Sequence, residues 1–97
     1  MVTYVILGSY TEQGIRNIKH LPQVRAAAEQ FVAGKSGRVV ANYTTFGGYD
    51  FVFIAEFPND EAALEGAFLF GSRGDVRTTT LRAFTPQEAE AVAKRLP

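Results

Sequence analysis

Two β-forming segments meet at Gly47-Gly48 inside the run Thr44 to Ile54, and no other feature constrains the fold of this chain as tightly. Gly-Gly suits the φ > 0 angles of a two-residue type I′ hairpin turn, and β-branched and aromatic residues flank it. A hairpin fixes a register, and a register sorts side chains onto two faces. With Gly47 and Gly48 as the loop, Phe46 falls opposite Tyr49 and Thr44 opposite Phe51. One face then carries Val40, Asn42, Thr44, Phe46, Tyr49, Phe51, Phe53 and Phe57. The other carries Val39, Ala41, Tyr43, Val52 and Ile54, with Glu56 at its end. The smaller aliphatic face is expected to pack helices. The aromatic face is too large a patch to leave in water, so a second subunit, sheet facing sheet, is expected to cover it.

The flanking elements follow from local signals. Val2 to Tyr10 reads as a strand, and Thr11 to Gly14 as the start of a helical or irregular turn with Thr11 as its N-cap. Pro22 suits the first turn of a helix reaching about Ala33, with Val24, Ala28, Phe31 and Val32 on its apolar face and Gly34 and Gly37 ending it. The hairpin strands run from Arg38 to Phe46 and from Tyr49 to Phe57. Pro58-Asn59-Asp60 stops the second and caps a helix running to about Phe70, apolar around most of its circumference. Val76 to Phe84 is a threonine-rich strand. Thr85-Pro86-Gln87-Glu88 carries an N-cap, a proline at the first helical position and the glutamate of a capping box, opening a last helix with the stripe Ala89, Val92, Ala93 and Leu96. The order β-α-β-β-α-β plus a C-terminal helix is the α+β, ferredoxin-like pattern with an antiparallel sheet. A length of 97 residues fits one domain spanning 1–97.

Phasing the outer strands sends Tyr4, Thr78, Thr80 and Arg82 to the same side as Asn42 and Thr44. These six are the candidate ligand-binding residues: polar groups expected to converge within an aromatic-walled space between two sheets. Arg82 would favour an anion, so a small anionic or aromatic ligand is the expected guest. Mutual hydrogen bonding of the same groups across a dimer interface is the competing structural role.

The order of several segments identifies a family resemblance. Gly48-Tyr49-Asp50 lies within Thr45-Phe46-Gly47-Gly48-Tyr49-Asp50. Thr3-Tyr4-Val5, Thr11 to Ile15, Pro58 to Ala63 and Gly74 to Phe84 accompany it. Together they resemble the GYD family over roughly Thr3 to Pro86. The resemblance implies a fold of the dimeric α/β-barrel type, shared with cofactor-free monooxygenases, small isomerases and ligand-sensing domains. It brings no catalytic residue with it.

Other chemistry is sparse. Asp50 and Tyr49 are neighbours in a strand and point to opposite faces, so they do not converge on one substrate; Asp50 is expected to bind turn amides or an arginine. His20 is the single histidine, without a metal-ligand companion at useful spacing. Glu61, Glu65, Glu88 and Glu90 read as caps and solvated helix faces. Gly71-Ser72-Arg73-Gly74 follows a helix, whereas phosphate loops precede one. Arg77 and Arg82 flank the threonine run and are the anion candidates of the sheet, equally explicable by contacts with Asp50, Glu56 or a neighbouring subunit. No metal site and no cofactor are expected. Ten basic and ten acidic residues cancel, which argues against nucleic acid and suits self-association. The apolar run Phe51 to Ala55 is far shorter than a bilayer, so no membrane partner is expected. The chain has no cysteine and no basic segment before an apolar run at its start, which is the pattern of a cytoplasmic protein. The expected function is non-catalytic: a homo-oligomeric small-ligand-binding or regulatory protein. The alternatives are a cofactor-free monooxygenase or isomerase using Tyr4, Asn42, Arg82 and His20 in an inter-sheet cavity, and a pure interaction scaffold.

Overall fold

A computed structural model describes residues 1–97. Its elements are β1 (Val2–Tyr10), α1 (Glu12–Arg16), a 3₁₀ turn (Ile18–His20), α2 (Leu21–Gly34), β2 (Arg38–Thr44), β3 (Phe51–Phe57), α3 (Asp60–Ser72), β4 (Val76–Ala83) and α4 (Pro86–Ala93). The four strands form one antiparallel sheet in the order β2-β3-β1-β4, which is the ferredoxin-like arrangement.

Local chemistry sets the boundaries. The side chains of Thr11, Asn59 and Thr85 each accept a backbone N–H at the start of a helix. At α4 the capping box is complete: Thr85 Oγ1 accepts from Glu88 N–H, and the Glu88 carboxylate accepts from Thr85 N–H at 2.8 Å. That backbone donor is the chief reason the Glu88 carboxyl is held below its ordinary value.

The hairpin differs from the expected turn. Thr44 does pair with Phe51, but the strands part there. Thr45 N–H donates to Asp50 C=O at 2.8 Å, and Phe46 to Tyr49 form a wider loop. Gly47 alone takes a left-handed φ, +97°; Gly48 does not, so the turn is not type I′. Asp50 bonds to β1 rather than to the turn: its Oδ2 accepts from Tyr10 N–H at 2.9 Å, and its own N–H donates to Gly8 C=O at 2.7 Å.

The assignment of faces is reversed. Tyr4, Phe53, Ala55 and Phe57 face the helices and form the core with Val32, Ala62 and Ala63, while Ile6, Ala28, Phe31, Val39 and Phe51 pack at its margin. The physical reason is size. The helices present Ala28, Val32, Ala62 and Ala63 to the sheet, and side chains this small leave a gap that large rings fill, while Gly66 makes room for the Phe31 ring of α2. Phe57 packs edge-on against both Tyr4 and Phe31, with centroids 5.9 and 6.3 Å apart. An irregularity between Val39 and Ala41 leaves Val40 as an extra residue, so Val39 joins Asn42 and Thr44 on the helix side. The uncovered face is therefore mostly aliphatic: Val5, Leu7, Ala41, Val52, Ile54 and Leu81, joined by Tyr43, occupy matched cross-strand positions on it. No helix of the chain is long and apolar enough to cross a membrane.

Candidate functional site

The sheet's helix side is not filled along its whole length. Beside the core, α2, α3 and the sheet border a cleft of about 330 Å³. Its floor is two cross-strand rows. Asn42, Phe53, Ile6 and Thr80 form one; Thr44, Phe51, Gly8 and Thr78 form the other. Val24 and Ala28 of α2 line one wall, and Gly66 and Phe70 of α3 line the other.

Gly8 makes room for this floor. A Cβ placed there would lie 1.9 Å from Cζ of Phe51, so the Phe51 ring lies directly over the Gly8 backbone. The ring also packs against Tyr10 at 5.7 Å. A side chain at position 8 would force the ring upward into the cleft.

Four of the six sequence-predicted residues line this one cleft: Asn42, Thr44, Thr78 and Thr80. They sit on the helix side of a single chain, not between two sheets as expected. They also stand apart rather than converging. β2 and β4 are the two edges of the sheet, three strand spacings of about 4.8 Å apart, so the two polar pairs are separated by about 14 Å of aromatic floor.

Tyr4 and Arg82 lie outside the cleft. Tyr4 is buried in the core and its hydroxyl donates to the Asp60 carboxylate at the start of α3. Burial, followed by that carboxylate, pushes its phenol up to about 12. Arg82 is exposed; its guanidinium sits 4.3 Å over the Phe84 ring and donates to Ala83 C=O. His20 is exposed at the start of α2 and lines a separate small hollow with Tyr10, Gly14 and Asp75.

The cation beside the cleft is Arg25, which sequence reasoning did not select. It is exposed and makes only a loose 3.7 Å ion pair with Glu29 one turn along α2. Its spacing of one residue from Val24 and three from Ala28, both on the apolar face of α2, was the available signal. Tyr10 is the other titratable lining group, and burial raises its phenol above the ordinary value. At neutral pH the cleft thus offers a neutral phenol, a guanidinium, one amide and three hydroxyls. None of these readily removes a proton from a substrate. No cluster of three or more His, Cys, Asp or Glu side chains could hold a metal.

The model of the GYD domain matches residues 4–93. The chain belongs to the GYD family. It is 34% identical over 85 residues to a protein of Thermus thermophilus named glutamine synthetase and cystathionine beta-lyase binding protein, an alignment covering 86% of this chain and 88% of that relative. Among solved structures, the crystal structure of FFRP-DM1 superposes with a TM-score of 0.57 at 21% identity, covering 87% of this chain and 100% of the other. At that identity the likeness concerns the fold.

Proposed function

We propose that this protein is a non-catalytic regulatory binding protein of the cytoplasm. It acts as a homodimer of the α/β-barrel type, takes a small, largely apolar ligand in the helix–sheet cleft and engages another protein. The observation that carries this reading is the make-up of the cleft: aromatic floor, aliphatic walls, neutral polar groups at both edges and no group suited to proton abstraction. The cofactor-free enzyme is disfavoured on the same ground, because the single histidine lies outside. Asn42, Thr44, Thr78 and Thr80 are the proposed hydrogen-bonding contacts, and Arg25 replaces Arg82 as the residue that would receive an anionic group. The aliphatic sheet face supports self-association, since strands β1 and β3 would otherwise leave Val5, Leu7, Val52 and Ile54 facing water. The relative named for binding two enzymes supports a protein partner, with glutamine synthetase the first to test.

Native mass spectrometry tests the first part: the expected ion carries two chains and releases a small molecule on activation. The purified protein mixed with purified glutamine synthetase tests the second, by co-elution in size-exclusion chromatography. A single-chain mass together with no shift of backbone NMR signals at Thr78 or Thr80 on adding 1-octanol would remove both the dimer and the cleft ligand.

A further inference from the structure

The last helix has no place in the folded chain. α4 is well started, by Thr85, Pro86 and the completed capping box, yet none of its residues is buried. It packs substantially on no other element. Its apolar stripe, Ala89, Val92, Ala93 and Leu96, lies wholly exposed. Val92 is 50% and Leu96 73% accessible. The shape of the molecule agrees. The Cα radius of gyration is 14.7 Å and the long dimension 53 Å, whereas a compact chain of this length would have a radius of about 12.5 Å. Eight residues of isolated helix are marginal in water whatever their caps, because nucleation costs more than so few hydrogen bonds return. Something must cover the stripe.

The size of the open sheet face indicates what. Four strands about 4.8 Å apart and seven residues rising about 3.3 Å each make a face on the order of 450 Å². Two such faces in contact bury roughly 900 Å², short of the 1,200–2,000 Å² typical of a stable interface. A helix of eight residues is about 12 Å long and 10 Å wide. If each copy lays its α4 on the other, the two arms and the surfaces beneath them bring the total to roughly 1,400 Å², within that range.

We propose that α4 is a reciprocal arm: residues Pro86 to Leu96 of one copy pack their apolar stripe onto a second copy of the same chain, completing an interface that the sheets alone leave too small. This rests on the sheet-to-sheet association proposed above. It is an isologous arrangement, in which each copy gives one arm and receives one.

The chain has no tryptophan, so Val92→Trp places a single reporter on the stripe of the full-length protein. Its emission is expected to shift to the blue as the sedimentation mass rises from one chain to two. In the Val92→Trp/Ile54→Glu background, whose open sheet face carries a charge that association would bury, mass and emission are expected to stay those of a monomer with a wetted reporter. Val92→Asp alone should weaken association about ten-fold or more without lowering the melting temperature of the monomer. A wetted reporter in a two-chain species overturns the arm and leaves the sheet dimer standing. A buried reporter in a monomer overturns it too, because the helix then folds on its own chain. A two-chain species that survives Ile54→Glu with the reporter buried keeps the arm and discards the sheet contact. A one-chain mass at every concentration discards both.

Discussion

Gly8→Ala separates the cleft from the stability of the fold. Alanine in a strand interior recovers backbone entropy worth about 0.5–1 kcal/mol relative to glycine. Against this, the new Cβ would meet Cζ of Phe51 at 1.9 Å and the two Cε atoms at 2.3 and 2.4 Å. Ordinary carbon contacts lie at about 3.5–4.0 Å, so the ring must retreat by nearly 2 Å. It can, since the atoms that clash are the far end of a side chain whose neighbour above is the cleft. The melting temperature should therefore move by only a few degrees. The displaced ring takes room that about two ligand methylenes would otherwise fill, at about 0.8 kcal/mol each. That loss of about 1.6 kcal/mol corresponds to a roughly ten-fold weaker Kd. The assay is a backbone NMR titration with 1-octanol, following Thr78, Thr80 and Asn42 in both proteins, beside thermal unfolding. Equal affinity in the two proteins would refute the placement of the ligand over Phe51. A fall in melting temperature of more than about 10 °C would refute the claim that the ring is free to move.

Three further outcomes are expected. Phe53→Glu should unfold the chain, because it strands a charge in the core, whereas Ile54→Glu should leave a folded monomer; circular dichroism and sedimentation distinguish the two, and a folded monomer from Phe53→Glu would return the aromatic face to the interface. Gly47→Ala should cost about 1 kcal/mol of unfolding free energy through its φ of +97°, while Gly48→Ala should be near neutral; equal effects in urea titrations would mean that the loop is a different one. The raised phenol of Tyr4 binds its proton more tightly in the folded state, so its contribution to stability is complete below pH 10 and is lost as pH rises toward about 12. Denaturation midpoints should fall across that window in the wild type and less steeply in Tyr4→Phe, and parallel curves would show that Tyr4 is not the group responsible.

The order of elements, three side-chain N-caps and the capping box at Thr85 and Glu88 were legible from the residues alone, because each is settled within one turn of chain. So was the pairing of Thr44 with Phe51, which follows from two strands meeting at one loop. The polar pairs Asn42/Thr44 and Thr78/Thr80 fall on one side of the sheet, as alternation with a period of two requires. Which side faces the helices was not legible from alternation, because a strand apolar on both faces reads the same from either. Packing decided it: the alanines of α3 needed large rings opposite, and Phe53 and Phe57 supplied them. The same choice moved the candidate site from a space between two copies to a cleft within one, left Tyr4 in the core and Arg82 exposed outside the cleft, and opened the aliphatic face instead. Local hydrogen bonding and periodicity fix elements and registers from neighbouring residues, but the filling of a core is a match of volumes between segments far apart in the chain, and only the tertiary structure brings those volumes together.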